Sequence, residues 1–140
     1  MSATGGGEAT QSAGARLGFT KGTVVQELGW DEDVDDDLRI AIEDDIDADM
    51  VDGDYGNVVD SVLLWWRDED GDLVDALVDS LTDLVAGGVI WLLTPKMGRP
   101  NAVEPAAIAE AAPIAGLSTT TSVAVSRDWA ATRLVAPKAR

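Results

Sequence analysis

Apolar positions along the chain fall into two spacings. Over residues 61–66 (SVLLWW), with Val58 and Val59 leading in, and again over 89–94 (VIWLLT), they run almost unbroken. Short continuous apolar runs are the pattern of strands covered on both faces, as in a parallel sheet. Elsewhere the spacing changes to three and four. Leu73, Val74, Leu77, Val78, Leu81, Leu84 and Val85 make a broad helical stripe that follows Asp70-Gly71-Asp72 and is stopped by Gly87-Gly88. An earlier helix carries Val34, Leu38, Ala41 and Ile42 on one side together with Asp45, leaving Asp35, Asp36, Asp37 and Asp44 toward water. Asp31 or Asp33 can cap it, and the acids of its first turn suit the positive end of the helix dipole.

Residues 23–28 (TVVQEL) read as a strand between the Lys21-Gly22 turn and Gly29. Residues 47–60 hold at most a short edge strand around 50–52. A third helix starts at Pro105, is kinked or shortened by Pro113 and ends at Gly116. Residues 119–125 and 129–135, joined by Ser126-Arg127-Asp128, predict an antiparallel hairpin. Strands alternating with helices predict an α/β fold, a three-layer Rossmann-like sandwich whose mostly parallel sheet ends in that hairpin.

At 140 residues and 46% hydrophobic content the chain suits one core. Residues 17–138 are expected to form a single domain, and residues 1–16 (MSATGGGEATQSAGAR) a flexible tail without the apolar run of a signal peptide. The longest apolar run, 85–93, is far shorter than the roughly 20 residues that span a bilayer. A soluble, cytoplasmic protein with no membrane contact is expected.

Charge narrows the function classes. There is no cysteine and no histidine. Thiol nucleophiles, imidazole bases and the usual zinc sites are therefore absent, which disfavours an enzyme. The net charge is -16, and between Glu27 and Asp54 the sole base is Arg39. Such a surface disfavours nucleic acid and anionic lipid and favours a basic protein partner. The acids do not form a calcium loop: counting from Asp31, positions six and twelve are Asp36 and Ile42, and from Asp68 they are Leu73 and Asp79, where glycine and glutamate are required. No metal site is expected.

The stretches LGFTKGTVVQELGWDEDVDDDLR, GGVIWLLTPK and AGLSTTTSVAVSRDWAATRLV together resemble an actinobacterial-type family of unknown function, DUF3052, across nearly all of the chain after the tail. The strand, helix and strand ending in VAGGVIWLLTPK also resemble the second half of the class I methyltransferase fold. That likeness implies a first loop of the form acid-x-Gly-x-Gly-x-Gly for S-adenosylmethionine. Here only Glu27-Leu28-Gly29 matches, and Trp30, Asp31, Glu32 and Asp33 put bulk and negative charge where glycines belong. A cofactor is therefore not expected, and S-adenosylmethionine is disfavoured.

Ligands in open α/β sheets gather beyond the carboxyl ends of the parallel strands. That rule marks Glu27, Gly29, Trp30, Arg67, Lys96 and Arg99 as a possible ligand edge. Trp30 could plug the vacated cofactor space or anchor a partner, and plugging is favoured. Lys96 and Arg99 could hold an anion or pair with the acids of the first helix, and the pairing is favoured. Trp65 and Trp66, adjacent in one strand, must face opposite layers, and with Trp91 and Trp129 they read as core. The leading reading is a non-catalytic adaptor or regulatory protein that binds a protein partner through Asp31, Glu32, Asp33, Asp35, Asp36 and Asp37. Its alternatives are a divergent methyltransferase using Glu27 and Asp31 for the cofactor and Lys96 for substrate, or a small-anion sensor at Lys96 and Arg99. The oligomeric state stays open.

Overall fold

The computed structural model describes residues 17–138. The expected tail at 1–16 lies outside the described residues. The chain runs β1 (Val25–Leu28), α1 (Asp36–Ile46), β2 (Val59–Trp65), a 3₁₀ turn (Asp68–Asp70), α2 (Leu73–Ser80), β3 (Leu84–Pro95), α3 (Pro105–Ile114), β4 (Ser118–Ala124) and β5 (Trp129–Val135). The five strands form one sheet in the order β1-β2-β3-β5-β4.

The three-layer arrangement follows from strand alternation. Along β2, Leu63 and Trp65 point to one face and Val62 and Leu64 to the other, with Trp66 continuing the second set. On the first face Leu38, Ile42 and Ile46 of α1 cover Leu63, Trp65, Trp91 and Leu93. Fully burying each such aliphatic side chain contributes about 1.5–3 kcal/mol. On the second face Leu77 of α2 and Ile108 and Ala112 of α3 cover Leu64, Ile90, Leu92 and Leu134. Trp65, Trp66, Trp91 and Trp129 are all buried, as their strand positions predict, and Trp65 meets Trp129 edge-on with ring centres 4.9 Å apart.

Three expectations are corrected. The sheet is evenly mixed, not mostly parallel: β1–β2 and β2–β3 are parallel, whereas β3–β5 and β5–β4 are antiparallel. The hairpin enters with its second strand against β3, so it contributes two antiparallel interfaces and leaves β4 at the edge. Helix α2 ends at Ser80, well before Gly87-Gly88. Tight bonds from Leu81 N to Val78 O and from Thr82 N to Asp79 O close it, and Leu84 and Val85 are already in strand. The two glycines instead lie inside β3, where the register jumps from Val59↔Leu84 to Ser61↔Val89. Finally, the cap of α1 is Asp35, which accepts from Leu38 N at 3.0 Å, in place of Asp31 or Asp33. The weak pairing near 50–52 is a single parallel bridge from Val51 to Gln26. Among the described residues no helix is long and apolar enough to cross a membrane.

Candidate functional site

The carboxyl ends of β1 and β2 meet through backbone contact. Gly29, directly after β1, has φ of 76° and lies so close to β2 that a Cβ there would sit 2.2 Å from the Trp65 carbonyl oxygen. Only glycine tolerates both conditions. The loop beyond Gly29 then passes over the end of β2, within reach of Arg67.

Arg67 closes this junction. Its residue is 5% exposed, and its guanidinium folds back under the loop. Nη1 donates to Gly29 O at 2.7 Å and, more weakly, to Trp65 O at 3.4 Å and Asp70 Oδ2 at 3.3 Å. Nε donates to Asp33 Oδ2 at 3.0 Å, and Nη2 makes a short contact with Asp33 Oδ1. The cation also lies 5.4 Å from the centre of the Trp129 ring. Burial works against its charge, but hydrogen bonds and attraction from Asp33 and Asp70 outweigh that and hold its pKa above the ordinary arginine value.

Glu27, the acid that would meet a methyl donor in the methyltransferase likeness, is engaged by three donors of the chain itself. Arg39 of α1 forks onto it, Nε to Oε2 at 2.6 Å and Nη2 to Oε1 at 2.8 Å, while the Trp65 indole N–H donates to Oε2 at 2.9 Å. The Glu27 hydrogen bond raises the pKa of Arg39, against a smaller opposing effect of burial.

The remaining edge residues do not converge. Trp30 is 56% exposed and plugs nothing, because Arg67 already occupies the space beneath the loop. A shallow recess of about 290 Å³ persists beside Gly29, Trp30 and Arg67. Lys96 and Arg99 lie beyond β3, and Arg99 pairs with Asp128 of the hairpin turn at 3.0 Å, not with α1. Of the six acids marked for partner binding, Asp33 is engaged by Arg67, Asp35 caps α1, and Asp36 lies 3.7 Å from Arg39. Asp31, Glu32 and Asp37 are exposed and form no ion pair among the described residues. Sequence reasoning placed Arg67 at this edge but not as the group that fills it. An arginine directly following an unbroken apolar run was the available signal.

Asp33 makes the junction sensitive to pH. The Arg67 hydrogen bond, opposed by some desolvation, holds its carboxyl below the usual carboxylate value. As pH falls the unfolded chain therefore takes up this proton first. The contribution of the pair is complete above about pH 5, declines through the ordinary carboxylate pKa near 4, and is lost below the lower folded value. Asp33→Asn is expected to have a lower urea midpoint than wild type at neutral pH, with the gap narrowing as pH falls through and below the ordinary carboxylate pKa near 4. Circular-dichroism titrations of both proteins across that range check this.

The sheet and its helices define a methyltransferase-like α/β protein. Similar solved structures include a SAM-dependent methyltransferase from Aquifex aeolicus, 11% identical with a TM-score of 0.58 over 86% of this chain and 86% of that one. Another is magnesium protoporphyrin IX methyltransferase (ChlM) from Synechocystis PCC 6803 with bound SAM, 10% identical with a TM-score of 0.56 over 91% of this chain and 76% of that one. At such identities the likeness is one of fold. Within this class, residues 14–138 match the family described as Protein of unknown function (DUF3052), and the chain belongs to that family. Uncharacterized protein Rv2239c of Mycobacterium tuberculosis (strain ATCC 25618 / H37Rv) is 54% identical over 125 residues, covering 89% of this chain and 78% of the relative. Uncharacterized protein Mb2263c of Mycobacterium bovis matches with the same figures.

Proposed function

We propose that this protein is a non-catalytic cytoplasmic adaptor, working without a cofactor, that binds a basic protein surface through Trp30 and the acids around it. The observation that carries this reading is that the polar groups at the strand ends are engaged by the chain's own side chains. Glu27 is held by Arg39 and Trp65, and Arg67 lies beneath the loop at Gly29. Beside this closed junction stands an exposed tryptophan next to Asp31 and Glu32, which form no ion pair among the described residues. Exposed aromatic anchors ringed by charge are a common form of partner-binding hot spot.

The test is capture from lysate of the source cell by immobilised full-length protein, quantified by mass spectrometry. Wild type is expected to retain a defined set of basic proteins that Trp30→Ala loses about tenfold or more. A variant carrying Asp31→Asn, Glu32→Gln and Asp37→Asn should lose the same set, as should wild type in about 0.5 M salt. Identical capture by wild type and both variants would remove the proposal.

The rival reading, a divergent S-adenosylmethionine-dependent transferase, draws on the bound SAM of the ChlM neighbour and the recess beside Gly29. Against it, Glu27 is already engaged by Arg39 and Trp65. A cofactor-dependent rise in melting temperature would favour that rival, since any ligand of the native state stabilises it. Small-anion sensing at Lys96 and Arg99 is weakened by the Arg99–Asp128 pair.

A further inference from the structure

On the sheet face that carries α2 and α3, a pocket of about 290 Å³ opens between the start of α3 and the antiparallel half of the sheet. It is separate from the Gly29 junction and shares no residue with it. Val103, Pro105 and Ile108 form one wall, and Pro95 and Ala130 the other. Thr94 of β3 and Thr132 of β5 also line it, at 4% and 8% exposure. Neither hydroxyl forms a hydrogen bond with any described residue. Buried hydroxyls ordinarily have partners, so two without any in the lining of one apolar pocket mark it as a place where a ligand's polar group would be accommodated. Lys96 is the sole charged residue of the lining, and it forms no ion pair among the described residues although the net charge is -16. Its neighbour Arg99, by contrast, is matched by Asp128.

We infer that this pocket binds a small monocarboxylate with an apolar body, the body against Val103, Ile108 and Ala130, and the carboxylate at Lys96 and the Thr94 hydroxyl. Thr94 near the end of β3 and Lys96, directly after its last residue Pro95, both line this pocket, so both can address one ligand. A single lysine within a strongly acidic chain suits one negative charge; a phosphate dianion calls for more cations or a bidentate arginine. The volume lies at the small end of ligand sites, which suits a molecule on the order of ten non-hydrogen atoms. The site is independent of the Trp30 surface, and the failure of either reading leaves the other standing.

Octanoate and phenylacetate are the probes, titrated into the full-length protein by calorimetry and by amide-resolved NMR. At least one should bind saturably with one site per chain, tighter than about 1 mM, with shifts centred on Thr94, Lys96, Ala130 and Thr132. Octan-1-ol, which has the body without the charge, and inorganic phosphate, which has charge without the body, should each bind at least about tenfold more weakly. Lys96→Gln should weaken the carboxylate about tenfold, and Ala109→Phe, at an exposed lining position of α3, should block it. Thr94→Val gives an independent readout. It should weaken the probe yet raise the melting temperature of the free protein, because an unpartnered buried hydroxyl is replaced by a methyl of the same shape. No binding by either acid, shifts that map elsewhere, equal binding by octanol or phosphate, indifference to Lys96→Gln, or a fall in melting temperature on Thr94→Val would overturn the inference.

Discussion

Gly29→Ala is expected to destabilise the fold by about 3–5 kcal/mol, a large part of the 5–15 kcal/mol that holds a domain together. Two causes add. A left-handed backbone at a residue with a Cβ costs about 1–2 kcal/mol. The larger part comes from overlap, since the new carbon would lie 2.2 Å from the Trp65 carbonyl oxygen and neither β1 nor β2 can retreat from a paired sheet. Gly98→Ala is the control, because that residue also has positive φ, 93°, but meets nothing within 4 Å. It should lose only the backbone part, about 1 kcal/mol. Urea midpoints of the two variants decide the matter: equal losses would mean that β1 and β2 do not approach as closely as described.

Arg67→Met is expected to cost about 3 kcal/mol, which for a chain of this length lowers the melting temperature by roughly 10 °C. Methionine keeps much of the packing beneath the loop but leaves Gly29 O and Asp33 without their donor. Breaking a buried ion pair costs up to about 5 kcal/mol. The lower value applies here because Asp33 is half exposed and can turn to water. Arg67→Lys should recover less than half of the loss, since a single ammonium cannot reach Gly29 O and both Asp33 oxygens as the planar fork does. A double-mutant cycle with Asp33→Asn should return a coupling of about 1–2 kcal/mol. A coupling near zero would show that the loop is held by something other than this pair and that Arg67 and Asp33 do not close the strand-end junction.

Much of the architecture was legible along the chain because apolar spacing reports burial directly. The runs at Val62–Trp65 and Ile90–Leu93 are strands with both faces covered, Leu38 and Ile42 of the expected stripe lie on the buried side of α1, where Ile46 rather than Asp45 completes it, and Pro105 and Gly116 bracket α3. The opposite facing of Trp65 and Trp66 follows from strand geometry alone. The end of α2 was not legible, since Leu81, Leu84 and Val85 continue a helical spacing that an extended strand also accommodates. Nor did local pattern reveal that β5 enters between β3 and β4, because insertion order depends on which apolar face finds which neighbour.

The candidate site divides in the same way. From residue types alone it followed that no imidazole or thiol chemistry is available, and the methyltransferase resemblance implied a glycine-rich loop that residues 30–33 do not supply. Tertiary structure decided who occupies that place: Arg67 rather than Trp30, and Asp128 rather than α1 as the partner of Arg99. Those outcomes rest on pairs 34 and 38 residues apart for Arg67 with Asp33 and Gly29. A long charged side chain can reach several partners at such separations, and only the packed sheet determines which of them is within hydrogen-bonding distance.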